Sequence, residues 1–308
     1  MMLSVITPVY RSRNILVPLY EKITANVQCL PDFCDYEIIM VEDCGDDNSW
    51  AVIEQLALQD PHVKGLTLSR NFGQHHAITA GMDLSKGDWV VVMDCDLQDD
   101  PCAIPALWAK AQEGYDVVNV RRKRRKDTFV KRIRSRLFHL FLDWLSGMSY
   151  DPQVANYRIM SRKVVDTYKT MRESTRIVGL QIHWLGYPTA TVEIPHADRF
   201  EGKSSYSIRK LMTLALDVAV SYSNKPLYIS IVTGLLISLS SLGIALWFFI
   251  RNLIWKIPVA GWSSLMVSIW FLSGIIIANM GVLGIYIGKI YNETKHRPIY
   301  AIARRVNC

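Results

Sequence analysis

The sequence predicts an α/β protein built on a mostly parallel sheet, followed by amphipathic helices and a two-helix membrane hairpin. Two observations carry this. Short apolar runs alternate with amphipathic stretches through the first 120 residues, and strands alternating with helices imply βαβ units and a sheet covered on both faces. Residues 227–250 and 259–288 contain no Asp, Glu, Lys or Arg. Each exceeds the roughly 20 residues that cross a ~30 Å hydrocarbon core.

Residues 3–9 read as the first strand and 14–27 as the helix after it. Residues 36–41 form the second strand, with a helical stretch over 50–58. Residues 63–68, 89–93 and 116–120 supply three further strands, separated by helical segments at 74–84 and 102–113. In open sheets of this kind ligands sit beyond the carboxyl ends of the strands. Three polar clusters fall there: Thr7-Pro8-Val9-Tyr10, the acidic stretch from Glu42 to Asp47, and the stretch from Asp94 to Asp99. Turn chemistry explains any one of them; three at the same sheet edge are more than it requires.

Residues 128–147 pattern as an amphipathic helix, with Val130, Ile133, Leu137, Phe141 and Trp144 on one face and Lys131, Arg132 and Arg136 on the other. The segment 206–226 is also helical and basic at its start. Such helices beside a membrane span read as interfacial; packing on the sheet is the alternative. The expected organisation is a cytoplasmic α/β domain over 1–205, a juxtamembrane helix over 206–226, the hairpin over 227–288 and a cytoplasmic basic tail over 289–308. Eight basic residues flank the hairpin (Arg209, Lys210, Lys225, Lys289, Lys295, Arg297, Arg304, Arg305) against two in its loop (Arg251, Lys256). That asymmetry predicts cytoplasmic flanks, with the domain and both termini inside; the chain is expected as a two-span protein of the inner (plasma) membrane. The N-terminus lacks the basic region and cleavage site of a signal peptide. The six cysteines form no C-x-x-C pair or zinc spacing and read as free thiols.

The central chemical signal is Asp94-Cys95-Asp96-Leu97-Gln98, directly after an apolar strand. Carboxylates two residues apart in an extended chain point the same way and can face one cation. Mg²⁺ and Mn²⁺ prefer oxygen ligands and share them with substrate phosphates. The alternative is a solvated loop. Glu42 and Asp43 read either as hydrogen-bonding partners of a nucleoside, with Pro8 and Tyr10 beside them, or as the cap of a turn. Neither a P-loop nor a dinucleotide fingerprint is present. Between Arg121 and Arg136 lie ten Lys or Arg residues and one acid, Asp127. This run leads into the amphipathic helix, so its anion is expected at the membrane surface, either bulk lipid or one lipid phosphate. The net charge of +7 comes with no nucleic-acid-binding motif, and no nucleic-acid partner is expected.

These residues resemble those of the family-two glycosyltransferases of the polyprenyl-phosphate branch, which includes dolichyl-phosphate mannose synthases and the bactoprenol glucosyltransferases of O-antigen modification. The matching motifs are Thr7-Pro8-Val9-Tyr10, Val41-Glu42-Asp43, Leu68-Ser69-Arg70-Asn71-Phe72-Gly73, the run from Met93 to Asp99, and the run from Asn156 to Arg162. Arg199, Gly202, Ser204 and Tyr206, and the closing run from Gly284 to Pro298, complete them. The resemblance implies a GT-A-type, Rossmann-like domain that transfers one hexose with inversion from a nucleotide sugar, a UDP-hexose such as UDP-glucose, to polyprenyl (undecaprenyl) phosphate. It implies that Pro8, Tyr10, Glu42 and Asp43 bind the nucleoside, and that Asp94, Asp96 and Gln98 hold the metal diphosphate with Mg²⁺ or Mn²⁺. Arg121, Lys131, Arg132, Ser135 and Arg199 would meet the acceptor phosphate. Tetramers occur among relatives, so a homo-oligomer is compatible with it. Transfer to a lipid-linked saccharide, or a scaffold of the same fold without catalysis, are the alternatives. Many relatives carry Asp, assigned as a base, where this chain has Asn156, and Lys where it has Ser205. A phosphate nucleophile with a second pKa near ~6 arrives largely deprotonated and needs little from a general base. Asn156 is therefore expected to position a sugar hydroxyl or the phosphate.

Overall fold

The computed structural model describes residues 1–122, 154–194, 220, 223–255 and 261–308. These form two compact units, one containing a sheet and one containing two long helices. The expected helix over 128–147, most of the segment 206–226, and Lys131, Arg132, Ser135 and Arg199 lie outside the described residues.

The sheet has eight strands: β1 Met2–Val9, β2 Asp35–Glu42, β3 Val63–Leu68, β4 Trp89–Val92, β5 Val117–Arg122, β6 Val154–Ser161, β7 Thr189–Ile194 and β8 Ile302–Val306. Their order is β7-β5-β6-β4-β1-β2-β3-β8. β1 pairs in parallel with both β2 and β4, β2 with β3, and β5 with β7. Only β6 and β8 run against the rest, so the sheet is mostly parallel, as expected.

Its helices are α1 Leu16–Gln28, α2 Ser49–Gln59, α3 Gln74–Leu84, α4 Ile104–Ala111, α5 Arg162–Thr170 and α6 Val178–Trp184. Leu19 of α1, Ile53 of α2 and Leu107 of α4 pack with Val5 and Met40 in one core. Ile78 of α3, Val164 of α5 and Ile182 of α6 pack with Ile6 and Ile39 in the other. Helices thus cover both faces, which is why the central residues of β1 and β2, such as Val5-Ile6 and Ile38 to Val41, are apolar on both sides rather than alternating. Gly65 of β3 sits where a Cβ would come within 2.6 Å of Ile53 and 2.7 Å of Val306; the strand passes its neighbours too closely for a side chain.

Among the polar groups buried in this sheet, one carboxylate is held by a lysine. Glu37 is 1% exposed, and its carboxylate accepts from Ser4 Oγ and the Lys86 N–H, both at 2.6 Å, and pairs with the Lys64 ammonium. Burial alone would raise its pKa. Lys64, the Lys86 N–H and Ser4 outweigh that and hold it below the usual value.

β8 departs from expectation. Residues 289–308 were expected as a basic tail, yet Thr294 ends the second long helix and Ile302–Val306 rejoins the sheet. The physical reason is the open edge of β3, whose backbone groups need partners. Ser69 N–H donates to Ala301 O at 2.8 Å, and Asn307 donates to Ala57 O and Val63 O. Tyr300 Oη donates to Asp83 at 2.8 Å beside a two-pronged Arg172–Asp83 pair. Arg304 and Arg305 stay exposed, charges that discourage further strand addition.

The second unit holds α7 Lys225–Trp255 and α8 Trp262–Thr294, each long and apolar enough to cross a membrane. Tyr286 Oη, in the last third of α8, donates to Ser223 O just before α7, so the two helices run antiparallel as a hairpin. Their apolar side chains face outward: Trp247 is 66% exposed, Trp270 78% and Ile277 69%. An apolar surface so continuous is stable only against hydrocarbon or another apolar surface.

Two outcomes follow from this packing. Lys64→Met strands the Glu37 carboxylate and should cost about 3 kcal/mol in urea denaturation at neutral pH. In the wild type the lowered pKa means this stabilisation is present above the unfolded value and is lost as pH falls through the native one. The variant relieves its penalty by protonating Glu37, so the gap between the two urea midpoints should narrow towards pH 4. Removing residues 297–308 uncovers the β3 edge, and should lower the melting temperature of the detergent-solubilised protein by roughly 5 °C or more.

Candidate functional site

The order β4-β1-β2-β3 reverses direction at β1, because the chain steps outward from β1 through β2 to β3 and then returns to place β4 on the other side. Crevices form at such switch points. β1–β4 pairing stops at Ile6–Val92, so Pro8, which has no N–H to donate, lies where β4 has already turned away. A cavity of about 380 Å³ opens there, lined by Pro8, Val9, Tyr10, Ser12, Asp43, Asn71, Gly73, Gln74, Asp94, Cys95 and Asp96. Its size suits a small-molecule ligand.

The acidic stretch after β2 divides its labour. Asp43 is 3% exposed and accepts from the Phe72 N–H at 2.7 Å and the Gly73 N–H at 2.8 Å. Burial raises its pKa, opposed by those two N–H groups and by His76. Gly73 has φ +95°, a conformation open to glycine at little cost; it turns the chain sharply into α3. Glu42 is 4% exposed and lies behind the cavity rather than in its lining. Its carboxylate accepts from Gly45 N–H at 2.6 Å and from Thr67 Oγ1. Asp46 pairs with Arg11 at 2.7 and 2.9 Å, and Asp47 accepts from Arg13 N–H and Ser49 Oγ. These contacts bind the β1 loop that carries Tyr10 to the β2 loop. Tyr10 is 45% exposed with the Arg11 guanidinium 5.3 Å from its ring centre.

Asp94 and Asp96 follow β4, and both line the cavity, as their spacing requires. Cys95, between them, packs into the core and donates to Ser12 Oγ at 3.1 Å. Asp96 accepts from the Gln98 N–H at 3.1 Å, closing a turn in which Leu97 has φ +57°; Gln98 is not part of the lining. Asn156 stands on β6, whose pairing with β4 ends at Val92–Arg158. Asn156 lies two residues before Arg158 on that strand and is not part of the cavity lining. Arg121 is at the carboxyl end of β5, 3.8 Å from Glu193, on the same sheet edge as the cavity and outside its lining.

The lining residues to which sequence reasoning gave no role are Val9, Ser12, Asn71, Gly73, Gln74 and Cys95. Asn71 and Gly73 belong to a motif noted without a role, and the signal available was their position just beyond β3. Gln74 donates a close hydrogen bond from Nε2 to Asp94 Oδ1. Behind it, burial pushes the His75 pKa down to about 4, helped by Arg158, His76 and Arg176, so that ring is neutral at physiological pH.

No group of three or more His, Cys, Asp or Glu that could hold a metal occurs among the described residues. Two exposed-edge carboxylates are an all-oxygen, incomplete set. That set suits Mg²⁺ or Mn²⁺, which keep waters and complete their shell with substrate phosphate oxygens.

Residues 4–173 match the family described as Glycosyl transferase family 2. The bactoprenol glucosyl transferase of Shigella phage SfV is 36% identical over 303 residues, covering 98% of each chain. The undecaprenyl-phosphate 4-deoxy-4-formamido-L-arabinose transferase of Proteus mirabilis (strain HI4320) is 33% identical over 306 residues, covering 98% of this chain and 93% of that one. An uncharacterised glycosyltransferase of Bacillus subtilis (strain 168), YkcC, is 34% identical over 304 residues, covering 98% of this chain and 93% of that one.

Two carboxylates of one acidic loop should respond differently to removal. Asp43→Ala leaves two N–H groups without acceptors and should cost about 2 kcal/mol in urea denaturation, with faster amide exchange at Phe72 and Gly73. Asp46→Ala loses only an exposed ion pair and should leave the urea midpoint essentially unchanged.

Proposed function

The chain belongs to glycosyl transferase family 2, and from that membership we propose that it transfers one hexose, with inversion, from a UDP-sugar to polyprenyl phosphate at the cytoplasmic face of the membrane. The observation that carries this is the Asp94/Asp96 pair at the switch-point cavity, across from Pro8, Tyr10 and Asp43. A nucleoside and a metal-bound diphosphate need these two kinds of wall side by side. Two relatives alike over nearly the full chain are named for bactoprenol or undecaprenyl phosphate, which supports the same acceptor class here. The two outward-facing apolar helices support a membrane anchor that brings the protein to such a lipid.

Pro8 and Tyr10 wall the nucleoside, while Asp43 keeps the β3–α3 loop in place against it. Asp94 and Asp96 hold the cation, with Gln98 shaping the turn that aims Asp96. When bound, the cation supplies Lewis-acid stabilisation to the departing nucleoside diphosphate. The acceptor phosphate arrives as an anion, so the protein's task towards it is placement and charge stabilisation. Arg121, at the β5 end, takes part in that task together with Lys131, Arg132, Ser135 and Arg199. Asn156 orients a sugar hydroxyl or the phosphate without acting as a base.

The test is a panel of nucleotide sugars with undecaprenyl phosphate in detergent. A UDP-hexose with Mg²⁺ or Mn²⁺ should give a lipid product from which mild acid releases the free sugar. Asp94→Asn with Asp96→Asn should reduce transfer by about a thousandfold or more without loss of membrane insertion. Transfer that persists in EDTA would sink the metal assignment, and a product formed only on a lipid-linked saccharide would sink the acceptor.

A further inference from the structure

We propose that Gln74 is a positioning residue for the cation site: its amide holds the Asp94 carboxylate aimed into the cavity before any ion arrives. The inference rests on reading Asp94 and Asp96 as cation ligands.

Gln74 is the first residue of α3, exposed, and part of the cavity lining. Its Nε2 donates to Asp94 Oδ1 across 20 residues of sequence. The contact is not left to a flexible side chain on a loose loop. Asp43 pins the two preceding N–H groups, those of Phe72 and Gly73, and Gly73 turns the chain so that Gln74 starts the helix beside the β4 end. A chain of polar contacts therefore runs from the end of β2, through the start of α3, to the carboxylate after β4. It fixes the relative position of three strand ends that meet at the cavity.

The residue type matters as much as its place. An amide donates to a carboxylate without setting a formal positive charge beside the cation site. A lysine there would set a positive charge beside the ion. A glutamate would add a third negative oxygen donor, and the ion would bind without needing substrate phosphate. Glutamine is the choice that orients the ligand and leaves the ion's retention dependent on the diphosphate. Partners that orient metal ligands typically govern metal affinity by 10- to 100-fold when removed.

The experiment measures Mn²⁺ binding by electron paramagnetic resonance on the full-length protein in detergent, with and without UDP. Gln74→Met, close in shape and without the amide, should weaken Mn²⁺ binding in the presence of UDP about tenfold or more. Gln74→Glu should instead strengthen Mn²⁺ binding in the absence of UDP, and Gln74→Lys should weaken it. Asp94→Asn is the control for the underlying reading. If Asp94→Asn abolishes Mn²⁺ binding while all three Gln74 variants bind as the wild type does, the role given to Gln74 is wrong and the cation site stands. If Asp94→Asn binds Mn²⁺ normally, both are overturned. Amide exchange of α3 in Gln74→Met, expected to match the wild type, separates loss of aim from loss of the helix.

Discussion

Burial of β1 on both faces and along both edges is the constraint around which the sheet unit is arranged. From Leu3 to Val9 every residue is buried, with β2 on one side and β4 on the other. A strand so enclosed must be largely apolar, with a buried hydroxyl such as Ser4 given a partner, must have helices above and below, and must end where its neighbours diverge. The divergence makes the cavity. Pro8 belongs at that point because the ladder towards β4 has already stopped, and Tyr10 follows as the first residue free to leave the sheet. The two cores, one under α1, α2 and α4 and the other under α3, α5 and α6, hold β1 rigid from both faces. The loops beyond it can then be polar without loosening the frame.

Carboxylates in this chain show how little residue type says by itself. Glu37, Glu42 and Asp43 are all nearly inaccessible and spend their oxygens on backbone N–H groups, hydroxyls or Lys64. Asp94 and Asp96 stand at the cavity wall, and Asp43, though it tethers the next loop, lines the same cavity. What separates the others is their place in the sheet: Glu37 and Glu42 lie within β2, while Asp43, Asp94 and Asp96 each follow a strand end.

This difference also explains what was legible in the sequence. β1 to β5 were readable because each is a run of apolar residues bounded by polar ones. β6 was not, because Asn156 and Arg158 interrupt its pattern. Arg158 is nonetheless 2% exposed, its guanidinium accepted by the carbonyls of Ala155 and Asn156. β7 and β8 are edge strands, β7 with exposed alternate residues and β8 with its three central residues exposed, and the Arg304-Arg305 pair made β8 look like a solvated tail. At the site, Pro8, Tyr10, Asp43, Asp94 and Asp96 were found by the rule that ligands gather at strand ends, and the cavity brings those five together. Glu42 satisfied the same rule and lies behind the lining. Gln74 escaped it, since a glutamine at the start of a helix carries no signal until its partner 20 residues away is seen.

The pairing of β8 with β3 has a consequence for the order in which the protein is made. Domains generally fold as they emerge, N-terminal parts first, yet this sheet cannot close its β3 edge until the ribosome has synthesised both long apolar helices and the stretch beyond them. The edge waits, unpaired, until that stretch has emerged. Completion of the sheet unit is thereby tied to translation past the hairpin, so a chain stalled before that point carries a visible defect, an open strand that chaperones and proteases can recognise.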